Sequence, residues 1–245
     1  MGFRSGPGDK RGFHWTLKRR RIHPGLNVSE KLNAFLLVYM GLFPIINPIG
    51  GAPIFLGLTR HCTDEERHSL ARRVAINGFF LMLGSLIVGS HVLEFFGITL
   101  PIVRIAGGLV VTAFGWKLLQ AGPEGVDSHE VATTGRPPGA QDAFYPFTLP
   151  LTVGPGAISV AIALGTQRPR AASLYDLIVL GAVTIAALLA ISARIYVCYR
   201  FAELIVATLG ERGTTVMVRL SAFVLLCIGI EIILSGYNAI PGIGR

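Results

Sequence analysis

Apolar residues along this chain come in long runs, not at the three-and-four spacing of a helix that keeps one face in water. Six runs stand out, over residues 32–58, 74–96, 102–119, 143–165, 174–197 and 218–240. A helix needs about 20 residues to cross a hydrocarbon core about 30 Å thick, and each run reaches or nearly reaches that length. The pattern predicts an all-α, polytopic membrane protein with six transmembrane helices and the lipid bilayer as its principal partner.

Connections between the runs are short and polar except over residues 120–142, where Gly, Pro, Asp and Glu crowd together. That linker divides the chain into a basic, disordered tail (1–31), a first three-helix unit (32–119) and a second (143–240). Runs one and four differ from the rest because residues that cannot continue a helix interrupt them. The first reads Pro44-Ile45-Ile46-Asn47-Pro48-Ile49-Gly50-Gly51-Ala52-Pro53, and the fourth Pro146-Phe147-Thr148-Leu149-Pro150-Leu151-Thr152-Val153-Gly154-Pro155-Gly156. Placing Pro48 on Pro155 sets Thr59 on Thr166, and runs three and six open on Arg104-Ile105-Ala106 and Arg219-Leu220-Ser221. Two correspondences in the same order indicate duplication. Three spans per half is an odd number, so the second repeat must be inverted relative to the first. Secondary transporters use this architecture and place substrate and ion sites where broken helices of the two halves meet.

Chemistry is expected at the breaks because Pro lacks an amide hydrogen and Gly admits backbone angles that other residues resist. Main-chain groups freed in this way must be buried in protein or line a watery cavity. Half-helices starting at Pro48 and Pro155 offer amides and a partial positive charge to a carboxylate, while the carbonyl ends before them suit an ammonium group or a cation. A zwitterionic amino acid fits both preferences; a phosphate or another small anion fits the amide end alone. The candidate substrate-binding residues are Asn47, Pro48 and Gly50 in the first break, and Thr152, Gly154, Pro155, Gly156 and Ser159 around the second. The competing reading is two structural kinks whose polar side chains satisfy the freed backbone.

Charge adds coupling and gating candidates. Glu231 lies well inside the sixth run, where a carboxylate is costly unless paired, solvated or protonated, so it is a candidate proton carrier. Arg104 and Arg219 open their spans and either anchor them or close a gate. Gly107 and Gly108 read as a close-packing surface. Of 22 basic residues, eight fall in the first 31 positions, including Lys18-Arg19-Arg20-Arg21. Ahead of a membrane span such a cluster meets headgroups or sets orientation, so no nucleic-acid partner is expected. The first, third and fifth loops hold more Lys and Arg than the second and fourth, which favours an outside N-terminus despite the basic tail. Cys62, Cys198 and Cys227 are too dispersed for a disulfide framework or a metal knuckle and read as small buried hydrophobes. With no metal-ligand spacing, nucleophile elbow or phosphate loop, no metal, cofactor or enzymatic activity is expected.

Several motifs occur together in order: Asn47-Pro48 followed by Phe55-Leu56-Gly57-Leu58, Phe96-Gly97-Ile98 before Pro101, Arg104-Ile105-Ala106-Gly107-Gly108, Gly154-Pro155-Gly156, and Arg219-Leu220. Over residues 32–240 the chain resembles the MarC family of inner-membrane proteins, which includes SnatA-like neutral amino acid transporters. The resemblance implies a multi-pass protein of the plasma membrane, similar in architecture to LysE-type amino acid exporters. It also implies secondary transport of small neutral amino acids such as glycine or alanine, driven by a proton or sodium gradient. The alternative is a membrane interaction or regulatory protein without transport activity. Two features depart from the family pattern: members begin almost directly with the first span, and an amide such as Gln is expected where Glu231 stands.

Overall fold

The computed structural model describes residues 27–121, 143–166 and 174–240, so the tail through residue 26 and nearly all of the expected linker lie outside the described residues. The described residues form helices α1 (Val28–Ile46), α2 (Pro48–Leu58), α3 (Asp64–Phe95), α4 (Leu100–Ala121), α5 (Ala143–Thr152), α6 (Pro155–Thr166), α7 (Leu174–Arg200) and α8 (Ala202–Asn238). Five apolar segments are long enough to span a membrane, α1 and α2 together forming the first of them. The bent pair α5 and α6 brings the number to six.

Two helices extend past the apolar runs that announced them. Helix α3 starts at Asp64, ahead of the apolar run beginning at Val74, because Thr63 and Glu66 form a capping box. In it the Glu66 amide donates to Thr63 Oγ1 (3.3 Å) and the Thr63 amide to Glu66 Oε2 (2.9 Å). Asp64, Glu65 and Glu66 also place negative charge at the positive end of the helix dipole. Helix α8 starts at Ala202 and not near Val218, and Gly210, with φ 65° and ψ 177°, breaks it into a short leading segment and the membrane span.

The third span of each half packs against the other in antiparallel fashion, while α1 runs parallel to α7 and α3 parallel to α6. Helices α4 and α8 make the most extensive interface, with the start of one against the end of the other. Gly236 meets Pro101 and Arg104, Gly108 meets Gly229 and Ile233, and Gly115 meets Ala222 and Leu226. A Cβ at Gly108 would lie 2.7 Å from the Gly229 carbonyl oxygen. Small residues therefore let two main chains touch, which replaces the hydrophobic driving force that lipid cannot supply. Helix α3 packs on α7 and α6, α1 on α7, α2 on α8, and α6 on α4.

The largest core cluster joins Leu42, Phe55, Val74, Met82, Phe147, Leu188, Ile191, Ile195 and Tyr199. Outside it the helices expose large apolar side chains such as Phe80, Phe95 and Leu220, the surface a bilayer solvates. Cys62 and Cys198 are buried as expected, whereas Cys227 is exposed on α8. The correction has a simple cause: within a span, apolar sequence does not separate a protein-facing side from a lipid-facing one.

Candidate functional site

The first break turns on a single residue. Asn47 adopts the left-handed conformation (φ 45°, ψ 57°) and ends α1 while starting α2. Its amide donates to the Phe43 carbonyl (3.0 Å), its carbonyl accepts from the Gly51 amide (2.9 Å), and its Oδ1 accepts from the Gly50 amide (3.3 Å). Asn is among the few residues that visit this region readily, and it is also a good N-cap. Pro44 and Pro48 have no amide hydrogen, so the Met40 and Pro44 carbonyls have no fourth-residue amide to receive. These acceptors belong to the last two turns of α1.

The second break is built differently. Helix α5 winds widely, with Tyr145 and Leu149 outside helical angles and a cis bond between Leu149 and Pro150. The Val153 amide donates to the Thr148 carbonyl (2.8 Å), and α6 then departs at 73° to α5. Pro155 takes the first helical position, and the Gly154 carbonyl accepts from the Ile158 amide (3.1 Å). Thr148 and Thr152 donate through Oγ1 to the carbonyls of Ala143 and Phe147, both at 2.7 Å. Each reaches back five residues, which satisfies acceptors that the wide winding leaves open.

The two breaks meet at Tyr199, a fully buried residue near the end of α7. Its ring stacks on Phe55 of α2 with centroids 4.4 Å apart, and Phe55 in turn meets Phe147 of α5 edge-on at 5.6 Å. Its hydroxyl lies 2.9 Å from Thr152 Oγ1. Because the Thr152 hydroxyl proton is committed to Phe147, Tyr199 donates this bond. A Cβ at Gly51 would lie 2.9 Å from the Tyr199 oxygen, so glycine admits the hydroxyl against the first break. Sequence reading missed Tyr199. A tyrosine next to Arg200 at the end of a span has the pattern of an interfacial anchor, and only tertiary packing turns it inward.

Of the expected site residues, Pro48, Gly50, Thr152, Gly156 and Ser159 are buried, Asn47 and Gly154 are half-buried, and Pro155 is exposed. A Cβ at Gly50 would lie 2.6 Å from Ser221 Oγ on α8, and one at Gly107 would run into Ser159, which donates to the Gly156 carbonyl (2.8 Å). Gly107 and Gly108 thus form the packing surface expected of them. Between the breaks, the Tyr199 ring and its stack on Phe55 and Phe147 form an aromatic cluster where the half-helices converge. Two cavities lie away from this cluster, one of about 370 Å³ among Val38, Leu83, Leu164 and Leu180, and one of about 590 Å³ beside Phe79, Leu189, Ser192 and Tyr196.

Charged candidates fall outside this centre. Arg104 is half-buried where α4 starts against Gly236, while Arg219 and Glu231 are exposed, turned away from the face on which Ser221, Ala222 and Gly229 meet the bundle. The charge that closes the bundle is Arg67, which is 7% exposed. It pairs with Glu203 and with Asp64 (3.1 Å), and donates to the carbonyls of Thr59 (3.3 Å) and Cys62 (3.4 Å), capping the C-terminal end of α2. Burial pushes the neighbouring Cys62 thiol above its usual pKa, and the Glu66 carboxylate adds to the effect. Arg194 places its guanidinium 5.6 Å from the Phe43 ring centroid, one turn ahead of the first break.

Residues 32–240 match the family described as MarC family integral membrane proteins. A UPF0056 membrane protein of Pyrococcus abyssi is 29% identical over 214 residues, covering 87% of this chain and 99% of its own. The UPF0056 inner membrane protein MarC of Escherichia coli is 28% identical over 212 residues, 84% of this chain and 96% of its own. Its namesake in Salmonella paratyphi B is 30% identical over 199 residues, 80% and 90% of the two chains. No solved structure matches the chain.

Proposed function

The chain belongs to the MarC family of integral membrane proteins and spans the inner membrane several times, and we propose that it is a secondary transporter there. Its cargo in this reading is a small neutral amino acid or a similar solute, moved with a proton or sodium gradient. The observation that carries the reading is the pair of broken helices held together by Tyr199, with Thr152 of one break and Gly51 of the other at its hydroxyl. Kinks that served packing alone would have no need to converge.

An inverted repeat is supported by correspondences at several levels. The bond from the Gly51 amide to Asn47 O has its counterpart in the bond from Ile158 to Gly154, at positions equivalent when Pro48 is set on Pro155. Helix α2 packs on α8 as α6 packs on α4, and α1 packs on α7 as α3 packs on α5. The third spans of the two halves run antiparallel, with Gly229 against Thr112 near the middle of their interface.

In this reading the described state is closed. Opening would withdraw Tyr199 from Thr152 and uncover the Pro44 carbonyl and the first amides of α2 and α6, which then receive the ammonium and carboxylate of the solute. The test is uptake of labelled glycine and alanine into proteoliposomes under imposed pH and sodium gradients, comparing the intact protein with Asn47→Ala. Uptake that follows a gradient and falls at least tenfold in the variant is expected. Counts indifferent to both gradient and substitution would reject transport and leave an interaction or regulatory role.

A further inference from the structure

Glu231 presents a physical conflict that the isolated chain does not resolve. Its neighbours Gly229 and Ile233 lie against Gly108, eight residues into the 22-residue α4. At about 1.5 Å per residue this is about 12 Å inside the span from its nearer end. A carboxyl side chain is too short to reach headgroups from there, yet Glu231 is exposed. Ionisable residues within the membrane otherwise face the bundle interior or a partner.

The surroundings of Glu231 describe that partner. Leu220, Val224, Cys227, Glu231, Leu234 and Asn238 are all exposed and alternate four and three residues apart along α8. This is the spacing of a left-handed helix–helix seam with one ionisable group near its middle, an arrangement that fixes register and partner number. We propose that this face of α8 docks against the same face of a second copy of the chain, with the two Glu231 carboxyl groups sharing a proton across the seam. Hydrogen-bond complementarity favours a second copy. Two copies inserted in the same direction bring Glu231 to the same depth, and a protonated carboxyl donates to the other copy's carboxylate, so one proton neutralises one of two like groups. Asn238 at the end of the seam carries both donors and acceptors and is likewise complementary to itself.

Cys227, one turn from Glu231 on the same exposed face, provides a native reporter, since Cys62 and Cys198 are buried. Membranes containing the full chain are treated with copper phenanthroline, and the protein is also reconstituted at low density for single-molecule photobleaching. A disulfide-linked dimer that disappears in Cys227→Ser is expected, together with two-step bleaching. Glu231→Gln, whose amide can still pair, retains the dimer. Glu231→Leu, which lipid solvates as well as a partner does, raises its dissociation constant roughly tenfold. Leu189→Cys in the Cys227→Ser background places a thiol on the outer face of α7 and is expected not to cross-link. A wild-type protein that is monomeric at every density would overturn the proposal, whether lipid or another protein then covers the face. Equal cross-linking through Leu189→Cys, or undiminished dimers in Glu231→Leu, would do so too.

Discussion

Two residues, Asn47 and Tyr199, determine how the breaks are held, and each fails in its own way. Replacing Asn47 with Ala removes the side-chain cap on the Gly50 amide and leaves at φ 45° a residue without the polar side chain that makes the left-handed region accessible to Asn. Cap loss and backbone strain cost about 1 kcal/mol each. Asn47→Ala is thus expected to lower the melting temperature in detergent more than Asn47→Gly, which removes the cap but tolerates the angle. Tyr199→Phe keeps the stack on Phe55 and loses only the bond to Thr152. A single buried hydrogen bond contributes about 1 kcal/mol, so a modest stability loss is expected, together with a faster opening step seen as a changed maximal uptake rate. Thr152→Val in the same background should add less than it does alone, because both changes remove one shared bond; full additivity in thermal melts would separate Thr152 from Tyr199.

At the scale of helices, the α4–α8 interface tests the fold independently of any solute. Because a Cβ at Gly108 would meet the Gly229 carbonyl at 2.7 Å, main chain would have to yield to accommodate it. Gly108→Ala is expected to destabilise by about 1–3 kcal/mol, the usual cost of overpacking. Gly84, whose absent Cβ would meet nothing within 4 Å, should accept alanine with little change. The six spans and both interruptions were readable from apolar run length and proline placement, since these report backbone demands that lipid cannot relax. The helix starts at Asp64 and Ala202 were not, because a capping box carries α3 beyond the apolar signal and a separate leading segment precedes the break at Gly210 in α8. At the breaks the sequence pointed to Asn47 and Thr152. Tyr199 and Arg67 escaped notice because their roles arise from contacts across the bundle: Tyr199 acts on α2 and α5, and Arg67 on the end of α2 and on Glu203. Glu231 was read from depth alone, and its outward direction emerges only once Gly229 and Ile233 are seen to occupy the face toward α4.

For the molecule as a whole, the alternation of span direction along the chain fixes which helix ends share a membrane surface, and the distribution of cations then favours one orientation. The end of α2, the starts of α3 and α8, and the ends of α4 and α7 gather at one surface, bringing Arg60, Arg67, Arg72, Arg73, Lys117, Arg200, Arg212 and Arg219 there. At the opposite surface the described residues contribute Lys31 and Arg104. Positively charged loops are retained in the cytoplasm, so the basic surface is expected to face inward and α1 to enter the membrane from outside. The measurement is labelling of intact cells with a membrane-impermeant maleimide, in a background where Cys62, Cys198 and Cys227 are replaced by Ser. Ile98→Cys, in the turn between α3 and α4, is expected to react from outside, and Thr63→Cys, between α2 and α3, only after the cells are opened. The reverse pattern would show that the basic tail, and not these loops, determines the topology.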